Sequence, residues 1–167
     1  MNVDQSPPFK VLFLCTGNGA RSILAEPLMR RMGKGRFKAC SAGSEPAGHV
    51  NPFALCMLRD AFRIDASDAR SKSWDGFRSG AFDFVLTVCD HAAETCPAWP
   101  GQPVVAHGGV PDPAAFHGSE ETCRYPWKVV QLLSRRVDLL GCLPFRSLDR
   151  LPPEQATRDV AWQENAL

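Results

Sequence analysis

The sequence predicts an α/β fold: a single three-layer domain with a four-stranded parallel sheet and helices on both faces. Short apolar runs that end in turn residues alternate with longer segments of helical periodicity. This alternation is typical of parallel sheets joined by right-handed crossovers. A length of 167 residues with 44% hydrophobic and 22% charged residues suits one globular domain with a sizeable core.

The first half of the chain contains two predicted strand–helix pairs. The run KVLFLC (10–15) indicates a strand buried on both faces. SILAEPLMRRMG (22–33) predicts a helix that stops at its glycine, bent by Pro27 unless that proline falls near the first turn. RFKACSAGS (36–44) predicts the second strand. NPFALCMLRDAF (51–62) predicts a helix, with asparagine as N-cap and proline at its first position.

The second half continues the alternation. ARSKSWDGF (69–77) is predicted as a loop or short helix, and FDFVLTVC (82–89) as the third strand. QPVVAHGG (102–109) is predicted as the fourth strand. A last long helix is predicted within 119–140, where apolar residues follow helical spacing.

The ends of the chain and its overall charge indicate where the domain lies and which partners and location to expect. We expect residues 1–8 to be flexible, 9–150 to form the domain and the polar tail 151–167 to be mobile. A formal net charge of +1 indicates no general affinity for nucleic acid or membrane surfaces. Because no signal peptide pattern or spanning apolar stretch is evident, we expect a cytoplasmic protein.

Three chemically distinctive side chains follow predicted strands. Cys15 ends the first strand, Cys89 ends the third, and Asp112 lies just beyond the fourth. In parallel α/β sheets, ligands bind outside the carboxyl ends of the strands. We therefore expect these residues to share one site.

The loop after the first strand has the composition of an oxyanion cradle. Small residues let successive backbone N–H groups surround one anion, and the N-terminus of the following helix adds partial positive charge. Arg21 would grip two oxygens, and the same field would hold Cys15 as a thiolate, with Ser22 placed to hydrogen-bond its sulfur. An ordinary turn with a core cysteine is the alternative. The predicted cradle comprises Thr16, Gly17, Asn18, Gly19, Ala20, Arg21 and Ser22.

The segment LFLCTGNGARSILAE is similar to the signature of the low-molecular-weight protein tyrosine phosphatase family. VPDPA (110–114) resembles the aspartate loop of that family, which implies that Asp112 is the general acid. A simple Asp-Pro turn is the alternative for this segment. The resemblance implies a four-stranded parallel sheet with flanking helices, in agreement with the pattern above.

A pair of cysteines further along the chain distinguishes two groups of enzymes that share this fold. Cys89 and Cys96, in CDHAAETC, resemble the redox pair of arsenate reductases that share the phosphatase fold. That resemblance covers roughly residues 10–150 and includes SAGS, VNPFAL, RSKSWD, CPAWPGQP and VPDPAA.

The resemblance implies a reaction in which Cys15 attacks arsenate, Cys89 attacks Cys15, and Cys96 completes a Cys89–Cys96 disulfide. It implies no bound cofactor, and an external reductant, which is thioredoxin or glutaredoxin with glutathione. Seven residues of helix span about 10 Å, whereas bonded cysteines have Cα atoms about 4–7 Å apart. If 89–96 is helical when reduced, it must unwind, so we predict a mobile switch.

Two other functions also fit these residues. A low-molecular-weight phosphatase needs only Cys15, Arg21 and Asp112, although Ala114 and Ala115 suit a small anion better than an aryl ring. A non-catalytic anion sensor on the same scaffold is the other alternative. An odd count of seven cysteines argues against a disulfide framework, and we assign four of them to packing or surface: Cys40, Cys56, Cys123 and Cys142.

Two features depart from the family pattern. Gly19 stands where many members have serine. Some relatives bind potassium near residues that correspond to Asn18, Glu26 and Ser41, with an acidic group where this chain has Lys72. Because an ammonium group can replace that cation, we predict no metal, although Asp75 lies close by.

Overall fold

The computed structural model describes residues 6–113 and 124–145, with the side chains of the second segment described from Trp127. The strands are β1 (Phe9–Cys15), β2 (Phe37–Gly43), β3 (Phe84–Thr87) and β4 (Val104–His107). The helices are α1 (Arg21–Met32), α2 (Pro52–Phe62), α3 (Asp90–Thr95) and α4 (Arg124–Cys142), with a 3₁₀ helix at Trp74–Phe77. The predictions for the tail, for Ala114, Ala115 and Cys123, and for most of segment 1–8 lie outside the described residues.

The four strands form one parallel sheet in the order β2-β1-β3-β4. Cys15 pairs with Gly43, and Leu14 pairs with Thr87, so the ends of β1, β2 and β3 meet at one edge. The predicted four-stranded parallel α/β fold is confirmed. The loops after β1, β3 and β4 consequently leave the sheet side by side.

Alternating side chains of β1 enter two different clusters of the core. Val11 and Phe13 pack with buried residues of α1, α2 and α4 on one face. Leu12 and Leu14, both fully buried, pack on the other face against Trp99 and partly buried residues of the 3₁₀ helix. Because each such side chain contributes about 1.5–3 kcal/mol on burial, β1 is held firmly beneath the loop that follows it.

The helix signals in the sequence correspond to observed caps and bounds. Asn51 caps α2, since its side chain accepts a hydrogen bond of 2.8 Å from the backbone N–H of Phe53, and Pro52 is the first helical residue. Pro27 lies inside α1, beyond its first turn. The third and fourth strands are shorter than predicted, with four residues each, and Cys89 is the N-cap residue of α3 instead of the end of β3. The predicted loop or short helix at 69–77 ends in the 3₁₀ helix.

Within residues 6–113 and 124–145, no helix is both long enough and apolar enough to cross a membrane.

Candidate active site

The loop between β1 and α1 is held from outside through its carbonyl groups. The carbonyl oxygens of Cys15, Thr16, Gly17 and Gly19 accept hydrogen bonds of 2.8–3.2 Å from backbone N–H groups in segment 44–51. In a trans peptide the C=O and N–H groups point in opposite directions. With the carbonyls directed outward, the N–H groups of the following residues are directed toward the centre of the loop, as an oxyanion cradle requires.

Asn18 is the fully buried pivot of the loop. Its backbone has φ of 43°, the left-handed region that asparagine tolerates better than most residues. Its side chain accepts a hydrogen bond from Lys72 N at 2.7 Å and donates one to Ser22 Oγ at 2.8 Å. Ser22 therefore braces the loop through Asn18, and a bond from its hydroxyl to the Cys15 sulfur stays a prediction.

The segment at 71–72 supports the same loop, a role that sequence patterns did not reveal. Ser71 Oγ donates to the Gly17 carbonyl at 3.0 Å and accepts from Gly48 N at 3.2 Å. Together with the Lys72–Asn18 bond, these contacts fix the backbone of the loop from a third chain segment. The RSKSWD motif was noted in the sequence, but only the fold brings it against the loop.

Arg21 and Asp112 lie together at the mouth of the loop. An Arg21 guanidinium nitrogen lies 3.5 Å from Asp112 Oδ2, and another donates to the Val110 carbonyl at 3.1 Å. Arg21 is mostly buried, whereas the Asp112 side chain is 43% exposed. Both residues line a cavity of about 170 Å³ that also contains Cys15 and the loop glycines. Cys15, Arg21 and Asp112, which the sequence predicted to share a site, thus face one cavity.

Cys89 joins this site from the turn after β3, the strand beside β1. Its sulfur lies 3.4 Å from Thr16 Oγ1, and the residue is buried at the N-cap of α3. Cys15, which precedes Thr16 in the loop, is buried as well. The first two cysteines of the predicted relay therefore lie at the same loop in the reduced protein.

Cys15 and Cys89 influence each other's pKa. The hydrogen bond to Cys89, followed by burial, raises the pKa of Cys15, although Arg21 and the Asn18 N–H act to lower it. The pKa of Cys89 is lowered to about 5, chiefly by the hydrogen bond from Cys15 and also by the Thr16 hydroxyl. The two thiols thus share one negative charge, and its location on Cys15 stays a prediction.

Cys96 lies at the opposite end of α3 and is half-buried. It packs with Trp99 in the core cluster on the second face of the sheet. Burial raises the pKa of the Cys96 thiol. Since α3 is helical, about 10 Å of helix rise separates the ends of segment 89–96. Cys89 and Cys96 therefore stand at opposite ends of a helix. This is the condition under which segment 89–96 is predicted to unwind before the two cysteines bond.

A charged cluster lies on the outer side of the loop. Glu26 Oε2 accepts a hydrogen bond from Ser41 Oγ and lies 3.6 Å from Lys72 Nζ, and Glu26 Oε1 accepts a charged hydrogen bond of 2.6 Å from Arg30. The ammonium group thus stands beside the carboxylate, and the backbone of Lys72 holds Asn18. Among the residues that the structure describes, no group of three His, Cys, Asp or Glu side chains could hold a metal ion.

Gly43 and Gly19 differ in the space available for a side chain. A Cβ at Gly43 would overlap the Thr16 carbonyl oxygen and lie 3.0 Å from Asn18 N, so only glycine lets β2 approach the loop this closely. A Cβ at Gly19 would meet its nearest neighbour, the His49 carbonyl oxygen, at an ordinary 3.5 Å. The site therefore requires Gly43, which the sequence did not single out, and has room for a side chain at Gly19.

Similarity to known proteins agrees with this geometry. The family model of low molecular weight phosphotyrosine protein phosphatases matches residues 10–149. An arsenate reductase of Halalkalibacterium halodurans is 38% identical over 111 residues, which cover 66% of this chain and 78% of that protein.

Solved structures give the same result. An arsenate reductase in the phosphate binding state matches with a TM-score of 0.67 at 28% identity, covering 80% of this chain and 96% of that one. A thioredoxin-dependent arsenate reductase of Corynebacterium glutamicum matches with a TM-score of 0.60 at 26% identity, covering 86% of this chain and 63% of that one. With the family model spanning most of its length, the chain belongs to the low molecular weight phosphotyrosine protein phosphatase family.

Proposed function

We propose that this protein reduces arsenate to arsenite with three cysteines and an external thiol reductant. The observation that carries the proposal is the position of a second thiol, Cys89, whose sulfur lies 3.4 Å from the hydroxyl of Thr16 in the oxyanion loop that begins at Cys15. Hydrolysis of a phosphate ester requires one nucleophilic cysteine, whereas reduction requires a thiol that can attack the first one. The similarity to arsenate reductases supports the same reaction.

The first step is nucleophilic attack on bound arsenate. The inward N–H groups of the loop and Arg21 hold the oxyanion, and Cys15 attacks arsenic as a thiolate, with the proton that the two thiols share left on Cys89. A sulfur–arsenic bond forms, and one oxygen leaves as water with a proton from Asp112. Asp112 suits this role because it faces the cavity beside Arg21.

The second step transfers two electrons to arsenic. Cys89 loses its proton to solvent and attacks Cys15 Sγ, which forms a sulfur–sulfur bond and breaks the sulfur–arsenic bond. The electron pair of the broken bond stays on arsenic, which leaves as arsenite. The Thr16 hydroxyl, 3.4 Å from Cys89 Sγ, stabilises the attacking thiolate.

The third step restores Cys15. Cys96 loses a proton and attacks Cys89 Sγ, which releases the Cys15 thiolate and leaves a Cys89–Cys96 disulfide. An external dithiol or two thiols then supply the two electrons that reduce this disulfide. The thioredoxin-dependent neighbour favours thioredoxin as the reductant, with glutaredoxin and glutathione as the alternative.

A steady-state assay tests the proposal through Cys89. Arsenate reduction is measured with a thioredoxin system and with a glutathione–glutaredoxin system, for the wild type, Cys89→Ser and Cys56→Ser. Cys56 is an exposed thiol on α2 and serves as the matched control. We expect turnover to be lost in Cys89→Ser and kept in Cys56→Ser. Equal turnover in wild type and Cys89→Ser contradicts the mechanism.

Hydrolysis of phosphomonoesters is a second candidate function, because Cys15, Arg21 and Asp112 face one cavity without help from Cys89. A residual phosphatase activity follows from the shared oxyanion cradle and does not by itself favour this alternative. Hydrolysis of an aryl phosphate that is far more efficient than arsenate turnover, and unaffected by Cys89→Ser, would favour the phosphatase.

A further inference from the structure

His107, at the end of β4, links the residues on either side of Cys89. Its Nδ1 lies 2.8 Å from Thr87 Oγ1, and its Nε2 lies 3.0 Å from Asp90 Oδ1. Thr87 ends β3 and Asp90 begins α3. One imidazole ring therefore spans the strand-to-helix turn that carries Cys89.

The chemistry of the two partners determines the proton positions on the ring. An ionised Asp90 carboxylate can only accept hydrogen bonds, so His107 Nε2 carries a hydrogen. The Thr87 hydroxyl can either donate to Nδ1 or accept from it, so both bonds persist whether the imidazole is neutral or protonated. The link consequently does not depend on one charge state of His107.

The ring stands on a rigid part of the sheet. His107 pairs with Thr87 in the β3–β4 ladder, and the backbone N–H of Gly108 donates to the Thr87 carbonyl at 2.8 Å. The Thr87 side chain is buried, whereas the Asp90 side chain is 88% exposed. A Cβ at Gly109 would lie 2.6 Å from Asp90 Oδ1, so the backbone passes directly beside the link. The link is thus anchored in the sheet at Thr87 and His107, and it restrains the start of α3 at Asp90.

We propose that His107 is a positioning residue for the resolving thiol: it anchors the first residue of α3 and so holds the Cys89 sulfur beside Thr16 of the oxyanion loop. This inference rests on the proposed arsenate reduction, in which α3 unwinds to form the Cys89–Cys96 bond. With Asp90 anchored to the sheet, the end of segment 89–96 that travels is the Cys96 end. The resolving thiol stays in attacking position until Cys96 arrives.

A single-turnover experiment on the full chain tests this role. Reduced wild type, His107→Ala, His107→Gln and His91→Ala are mixed with arsenate, quenched with acid, and analysed by mass spectrometry for the Cys89–Cys96 disulfide. His91 is an exposed imidazole on α3 itself and provides the control. Phosphate protection of Cys15 against alkylation is measured in parallel, because it reports the oxyanion loop alone.

We expect His107→Ala to slow disulfide formation about tenfold or more, since small misplacements of reacting groups are costly. Phosphate protection should stay unchanged, His91→Ala should match wild type, and His107→Gln should recover part of the rate because it keeps a donor for Asp90. Disulfide formation at the wild-type rate in His107→Ala overturns the inference. An equal loss of phosphate protection also overturns it, since His107 would then be a general structural residue.

Amide hydrogen exchange separates this inference from the proposed function. If wild type forms no disulfide with arsenate, the proposed function fails, but the anchoring of α3 is still measurable in the reduced protein. His107→Ala should then exchange the amides of residues 90–95 about tenfold faster than wild type, whereas His91→Ala should not. Equal exchange in wild type and His107→Ala overturns the anchoring role.

Discussion

The hydroxyl oxygen of Thr16 lies 3.4 Å from the sulfur of Cys89, although 73 positions separate the two residues in the chain. Thr16 belongs to the oxyanion loop and Cys89 to the cap of α3. Their contact means that the second thiol borders the oxyanion site in the reduced protein. Only the Cys96 end of α3 has to move for the proposed relay to run.

Removal of Cys89 should make Cys15 more reactive toward alkylation. The hydrogen bond to Cys89 is the largest cause of the raised Cys15 pKa, so Cys89→Ala should lower that pKa. Each unit of decrease gives about ten times more thiolate at a fixed pH below the pKa. The rate of iodoacetamide labelling of Cys15, followed by peptide mass spectrometry between pH 5 and 8, measures the effect. Slower labelling of Cys15 in Cys89→Ala than in wild type contradicts the shared-proton arrangement.

The reciprocal change should raise the pKa of Cys89. Because Cys15 is the largest cause of its lowered value of about 5, Cys15→Ala should move the Cys89 pKa toward its usual range. In wild type, labelling of Cys89 should therefore fall as the pH drops through about 5. In Cys15→Ala the fall should begin at higher pH. An unchanged labelling profile of Cys89 would show that Cys15 does not set its pKa.

Gly43→Ala should damage the oxyanion loop while the sheet remains folded. The added methyl group would overlap the Thr16 carbonyl and crowd Asn18 N, so the loop must shift. Overpacking of this kind typically destabilises by about 1–3 kcal/mol. Gly76→Ala is the control, because a Cβ there meets no atom within 4 Å. Phosphate protection of Cys15 should be lost only in Gly43→Ala, and full protection in that variant would refute the requirement.

Gly19→Ser should be tolerated. Its Cβ would meet the His49 carbonyl at 3.5 Å, and Gly19 is not among the described residues with positive φ. The free energy of unfolding should change by no more than about 0.5 kcal/mol, as for substitutions that create neither overlap nor strain. Urea unfolding monitored by circular dichroism checks this result. A loss comparable to that of Gly43→Ala would mean that the loop has no room for the side chain.

Lys72→Gln should create a response to potassium that wild type lacks. The ammonium group lies 3.6 Å from Glu26 Oε2 and is partly exposed, so its loss should cost about 0.2–1 kcal/mol. In the variant, the Glu26 carboxylate and Ser41 can accept a free cation instead. The Tm should therefore be higher in KCl than in NaCl for Lys72→Gln and equal for wild type. A wild-type Tm that is higher in KCl than in NaCl contradicts the prediction that the Lys72 ammonium group takes the place of the cation.

Sequence patterns predicted those parts of the site that depend on strand ends. Cys15, Cys89 and Asp112 could be assigned to one edge because parallel strands all end there. The need for glycine at Gly43 was not predictable, since it arises from the approach of a loop that precedes β2 in the chain. The influence of Cys89 on the pKa of Cys15 was not predictable for a related reason. Local features of the loop predicted the pKa of Cys15, whereas the fold brings a second thiol to the same loop.

Mass-spectrometric mapping of disulfides after one turnover of arsenate tests the central claim most directly. Reduced protein is mixed with arsenate in the absence of reductant, quenched with acid, and digested without reduction. The three-cysteine mechanism predicts a Cys89–Cys96 disulfide in arsenate-treated protein, no such bond with phosphate, and none in Cys15→Ser treated with arsenate. Release of arsenite with Cys89 and Cys96 both still reduced would contradict it.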